Sequence, residues 1–124
     1  MDLNPSNSKI RVVNNPLKGS PEKVYKKLRE ITEVTLEENL VVIGYVSHKG
    51  ARPRFKSYEK HKGLDVQEIE IIYVSDYKKD VTKIESELIN EFWEHENCCN
   101  KRHENQREED LKDSKYYVYL AIGI

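Results

Sequence analysis

Apolar residues recur along this chain at two periods, one helical and one alternating, and these mark out its elements. Ser20-Pro21 reads as an N-cap with proline at the first helical position. Val24, Leu28 and Ile31 follow at helical spacing, with Lys and Glu on the other sides, so a helix is expected over 21–34. Leu40 to Val46 is a nearly continuous apolar run between polar residues, the pattern of a strand buried on both faces. His48 to Arg54 reads as a loop that is not helical before Pro53, because a proline steers the preceding residue away from helical geometry. A short helix over 54–61 is expected to carry Phe55 and Tyr58 on one face.

From Gln67, Ile69, Ile71 and Tyr73 alternate with Glu68, Glu70 and Ile72, marking a strand that ends at Ser75-Asp76. Val81, Ile84, Leu88, Ile89 and Phe92 then form the clearest helical stripe, with Glu87, Glu91 and Glu94 opposite and a stop expected near Asn97. Residues 101–114 are almost wholly polar and read as a loop or a solvated helix. Tyr116 to Ile122 is a strand by aromatic and β-branched content. Before all of these, residues 1–19 are rich in Asn, Pro and Ser. Ile10, Val12 and Val13 offer a short edge strand there, and the rest is expected to be mobile.

This order predicts a flexible segment over 1–19 and a single α+β domain over 20–124, with a small antiparallel or mixed sheet of three to four strands packed with two or three helices. A ferredoxin-like sandwich is the alternative arrangement. The length of 124 residues suits one domain. No stretch approaches the roughly 18 apolar residues of a spanning helix, so no membrane partner is expected. The first residues lack the basic and apolar regions of a signal peptide, and the two cysteines, Cys98 and Cys99, are adjacent and unsuited to a disulfide framework. An intracellular home, cytoplasm or nucleus, is the expectation. Neither cysteine has the second pair that a closed zinc site needs, and both are expected to pack beneath the end of the second long helix.

Charge sharpens the picture. With 21 Lys+Arg against 22 Asp+Glu the formal net charge is −1, which excludes long-range steering of a polyanion. Locally the balance breaks: Lys49, Arg52, Arg54, Lys56, Lys60 and Lys62 face only Glu59 over 49–62, with Tyr45, His48, Phe55, Tyr58 and His61 interleaved. Cations serve a phosphate backbone and rings serve sugars or bases; a solvated loop balancing the acids near 108–110 is the plainer alternative. Glu85 breaks the pattern in the other direction. It falls among Leu88 and Phe92, inside the apolar stripe, so its carboxylate must be paired, neutralised or bound to a cation.

These residues together resemble a diverged GIY-YIG nuclease domain. In that family a strand ends in Tyr-Ile-Gly, an Arg follows nine or ten residues on, and then a His or Tyr. A further strand comes next, then a helix bearing Glu-x-x-Leu-Ile, with an Asn after it. Here Tyr45-Val46-Ser47 stands in the strand position, Arg54 follows nine residues later, and Tyr58 or His61 follows Arg54. Glu85-Ser86-Glu87-Leu88-Ile89 fits the helix motif and Asn100 the closing position. The likeness covers about 40–102. Ser47 replaces the family's Gly, and the first Gly-Ile-Tyr strand is missing before Leu40. The terminal strand with Tyr117-Val118-Tyr119 is a candidate to fill that place in space, as in a circular permutation.

The resemblance implies a metal-dependent endonuclease acting on nucleic acid, DNA in the first instance, with Mg²⁺ or Mn²⁺ held by Glu85. Arg54 is implied to pair with the charged transition state, and Tyr45 or Tyr119 to orient the attacking water. Tyr58 or His61 lies beside them, and Asn100 positions the site or contacts substrate. His48, Lys49, Arg52, Lys56, Lys60 and Lys62 would track the backbone. Two rival readings stand beside it: a catalytically inactive nucleic-acid- or protein-binding module, and a homodimer that uses Tyr116, Tyr117 and Tyr119 as its interface.

Overall fold

A computed structural model describes residues 3–5, 8–61, 63–100 and 112–123. Four strands and three helices follow one another as β1 (Arg11–Leu17), α1 (Pro21–Glu38), β2 (Leu40–Ser47), α2 (Ala51–Ser57) with a single 3₁₀ turn at Tyr58–Lys60, β3 (Val66–Ser75), α3 (Lys78–Phe92) and β4 (Tyr116–Gly123). The strands form one mixed sheet in the order β1-β3-β4-β2. β4 runs antiparallel to both of its neighbours, and β1 lies parallel to β3 at the far edge. The α+β class is therefore the one that the pattern predicts, but a ferredoxin-like sandwich is not what forms. That reading needed an antiparallel sheet with Ile10–Val13 inside it.

Both faces of the sheet are covered. α1 and α3 pack Leu28, Leu36, Ile84 and Leu88 against Val41, Ile43, Val118 and Leu120 on one face. On the other, α2 and the 3₁₀ turn bring Phe55 and Tyr58 onto Ile69, Ile71 and Tyr119, joined by Leu3 and Ile10. Each fully buried Leu or Ile contributes about 1.5–3 kcal/mol relative to exposure. Residues 1–19 are thus partly core: Leu3 and Ile10 are only 3% exposed, and Arg11–Leu17 is a strand. The edge strand expected at Ile10, Val12 and Val13 is present and runs on to Leu17; its extension and the burial of Leu3 were not legible because an Asn- and Pro-containing edge strand has no period of its own, and the rim tolerates Pro16, where the register shifts. Tyr116, Tyr117 and Tyr119 are buried within the chain because β4 is an inner strand, so they form no interface between copies and no open stacking surface.

Two boundaries moved, and one strand carries a bulge, for identifiable reasons. α2 begins at Ala51, ahead of Pro53. A proline in the first turn is tolerated because the N–H it lacks would have had no intrahelical acceptor. The bulge between Ile71 and Tyr73 lets Ile72 and Tyr73 both join the α1/α3 core while Ile69 and Ile71 face α2. The Tyr73 hydroxyl then donates to the carbonyl of Gly19 (2.6 Å), a residue whose φ of +122° favours glycine and turns the chain from β1 into α1. α3 stops at Phe92 rather than near Asn97, because the next residues return to the open edge of β2. Val41 N–H donates to Asn97 O (3.0 Å) and Cys99 N–H to Val41 O (2.7 Å). Cys98 and Cys99, half-buried thiols on successive positions of this extended stretch, pack against opposite core clusters.

Candidate active site

The site is built where β4 and β2 lie side by side. Tyr119 on β4 pairs with Gly44 on β2. Because Gly44 has no side chain, the Tyr119 ring crosses over β2: a Cβ at Gly44 would stand 2.5 Å from the Tyr119 hydroxyl and 2.6 Å from Cζ. Phe55 of α2 meets the ring edge-on, centroids 5.2 Å apart. Tyr58 follows on the 3₁₀ turn and places its hydroxyl 2.8 Å from that of Tyr119. The Arg54 side chain also hydrogen-bonds the Tyr119 hydroxyl. One phenol oxygen is therefore a common anchor for a guanidinium and a second phenol.

Glu85 of α3 completes the group. Its charge acts on Tyr58 and Tyr119, and Arg54 acts on it. Arg54 and Glu85, 31 positions apart and on helices that cover opposite faces of the sheet, thus share one electrostatic neighbourhood. Burial raises the Glu85 carboxyl from 4.5 to about 7, and the opposing pull of Arg54 is too weak to cancel it. At neutral pH this carboxyl is close to half ionised. Burial likewise raises the Tyr58 hydroxyl well above its ordinary value, with Tyr119 adding to the effect, and burial raises the Tyr119 hydroxyl. Tyr119 is completely buried and Tyr58 is 8% exposed, whereas Arg54 and Glu85 are half-buried. The tyrosines therefore form the back of the site, and the guanidinium and carboxyl are the groups a ligand meets.

The remaining candidates fall elsewhere. Tyr45 packs with the α1/α3 cluster, while Tyr58 and Tyr119 belong to the other core cluster. The pleat turns neighbouring residues of a strand to opposite faces, so Gly44, not Tyr45, faces Tyr119. Spacing along the sequence does not report which face a strand residue takes. Asn100 commits its side chain to the backbone of β2: Oδ1 accepts from Ile43 N–H and Nδ2 donates to Ile43 O, both at 2.9 Å. It positions the strand that carries Gly44. His61 stacks on Tyr58 with centroids 5.6 Å apart, and its Nδ1 is buried with no hydrogen-bond partner among the described residues.

The basic group flanks the site on α2 and the loop before it. His48 Nδ1 lies 2.5 Å from the Tyr117 hydroxyl, and Lys49 N–H donates to Asp113 Oδ2 at 2.6 Å. Arg52 is half-buried, Lys56 lies 3.8 Å from Glu59, Lys60 is exposed, and Lys62 lies outside the described residues. Sequence reading missed Gly44. The signal was present as the one glycine inside an apolar strand run, which marks a close approach of another group.

A divalent cation is tested against the donors present. No group of three His, Cys, Asp or Glu side chains occurs among the described residues, and Glu85 is the carboxylate of the cluster. That set fits Mg²⁺ or Mn²⁺ held by one carboxylate, water and substrate phosphate; it does not fit an all-protein cage. No helix among the described residues is long and apolar enough to cross a membrane. No family model, curated protein or solved structure matches the chain.

Gly44→Ala tests the crossing directly. The new methyl displaces the Tyr119 hydroxyl and with it the anchor of Arg54. The expected cost is about 1–3 kcal/mol in urea unfolding, together with loss of whatever activity depends on Arg54. Unchanged stability would show that Tyr119 does not rest on Gly44.

Proposed function

We propose that this protein is a metal-dependent endonuclease of GIY-YIG-like design, hydrolysing phosphodiester bonds in DNA. The observation that carries the reading is the grouping of Arg54, Tyr58 and Tyr119 by hydrogen bonds, with Glu85 in the same electrostatic neighbourhood; four separate elements contribute, and Arg54 and Glu85 are half-buried where the two tyrosines are buried. Topology supports it too. β4 lies between β2 and β3, antiparallel to both, where a permuted chain would supply the strand missing before Leu40.

In the reaction the oxygen of a water bonds to phosphorus and the water gives up one proton, while one P–O bond breaks with its electron pair leaving on the sugar oxygen, which takes up a proton in turn, so that no net proton is consumed in that exchange. Arg54 binds non-bridging phosphate oxygens and offsets the charge that builds on them, a task suited to its planar fork of donors. Tyr119 and Tyr58 hold the guanidinium in place from behind, so it does not reorganise during the reaction. Glu85 in its ionised form would hold Mg²⁺ or Mn²⁺, which when bound would stabilise negative charge on the phosphate and the departing oxygen. Asn100 fixes β2, and α2 with the 3₁₀ turn presents Arg52, Lys56 and Lys60 to the backbone on either side. Incubating the purified protein with supercoiled plasmid and Mg²⁺ or Mn²⁺ is expected to give nicked circles, and chelation to stop it. Binding without cleavage across several DNA and RNA substrates would overturn the enzyme reading in favour of the inactive binding module.

A further inference from the structure

α1 carries its charge in the order its own dipole disfavours. After Glu22 in its first turn, Lys23, Lys26, Lys27 and Arg29 fill its first half, whereas Glu30, Glu33, Glu37 and Glu38 occupy its second, with no basic residue in the last turn. Cations belong near a helix C-terminus and anions near the N-terminus, so helix stability does not account for this order. Topology supplies a reason. β1, β2 and β3 all end where β4 begins, so one rim of the sheet gathers the ends of all four strands.

Taken in sheet order, that rim carries Lys18 after β1, Lys115 before β4 and Lys49 after β2. Lys18 and Lys115 line one open cleft, with Ser20 at the start of α1 and with Asp76 and Asp80 between them. His48 N–H donates to Lys115 O at 3.0 Å, which ties this rim to the loop that opens α2. Lys18, Lys23, Lys26, Lys27 and Lys115 are all exposed. The acids along the way are Glu22, Asp76, Asp80 and Asp113. Of these, Asp80 accepts the Ser75 hydroxyl (2.7 Å), and Asp113 accepts from the backbone of Lys49 and Ser114.

We propose that the rim from the first half of α1 through Lys18 and Lys115 to α2 is one track for the backbone of duplex DNA, extending the site beyond the basic segment 49–62. The inference rests on the nuclease reading for its choice of polyanion. Three strand intervals of about 4.8 Å span about 14 Å, about four steps of 3.4 Å along one strand of a duplex, before α2 is reached.

The test is anisotropy of a fluorescein-labelled 20-base-pair duplex between 50 and 200 mM KCl, with wild type and the Lys18→Gln/Lys23→Gln/Lys26→Gln/Lys115→Gln variant. Each phosphate contact contributes about 0.9 to the slope of log K against log salt. The slope of the variant is therefore expected to fall by about 2 to 4, with unchanged thermal melting, and the same four positions changed to Arg should restore it. Cleavage by wild type with an unaltered slope in the Gln variant would overturn this inference alone. A lysine-dependent slope without cleavage would support the track and overturn the nuclease reading. No binding of the duplex by wild type, or stronger binding of polyglutamate than of DNA, would overturn the track.

Discussion

Glu85→Gln is expected to abolish plasmid cleavage, by at least 10²- to 10³-fold, while making the protein more stable at pH 8. The two effects share one cause. Burial raises the Glu85 carboxyl from 4.5 to about 7, so the folded chain keeps its proton over a range where the unfolded chain has given it up. Native stability therefore falls as pH climbs from about 4.5 to about 7, and this group adds no further loss above that. A shift of this size corresponds to at most about 3 kcal/mol. Glutamine keeps the shape and cannot ionise, so the pH dependence across that window should shrink. For a chain of this size the expected gain at pH 8 is roughly 5–10 °C in Tm. Thermal unfolding from pH 4 to 8 measures it. A variant less stable than wild type at pH 8 would show that the ionised carboxylate is a net structural asset in its pairing with Arg54.

Arg54→Ala is expected to lose comparable activity with a different signature. Arg54 is the group that lowers the Glu85 carboxyl and one of two that hydrogen-bond the Tyr119 hydroxyl. Its loss should push the Glu85 carboxyl above about 7 and move the acid limb of the pH–rate profile upward with it. Arg54→Lys should keep some of the electrostatic effect on Glu85 and recover little of the rate, because an ammonium lacks the flat fork that meets phosphate oxygens and phenol together. Carboxyl NMR of Glu85 in the two variants, beside their cleavage rates, separates charge from geometry. An unmoved Glu85 titration in Arg54→Ala would break the link between the two side chains.

A pH optimum follows from the same pair. Ionised Glu85 is the form that takes a cation, so cleavage in limiting Mg²⁺ should rise through about pH 7, and excess cation should shift that rise downward by competing with the proton.

How much of this was legible in the residues differs by element. The Glu85 anomaly was legible because α3 has a clean stripe: one acid among Val81, Ile84, Leu88 and Phe92 is a local contradiction visible on a helical wheel. Arg54 and Tyr58 were legible through their spacing, which a short helix preserves. Alternation along β2 says which residues share a face but not which face meets α2, so the place of Tyr45 on the α1/α3 side was decided by the fold. Asn100 was identified, yet its bond to the backbone of Ile43 depends on the chain turning back along β2, and nothing local encodes that return. The track across the rim was invisible because its lysines are scattered between positions 18 and 115 and meet only through strand order.

The sequence by itself determined the helices, the inner strands, the α+β class and the one acid that burial resists, because periodicity and desolvation act over a few residues. Only the tertiary structure decided that the last strand is an inner one, that Gly44 lets Tyr119 cross β2, and that Arg54 and Glu85 share one electrostatic neighbourhood. Those are outcomes of sheet order and of which face each helix covers, set by long-range packing.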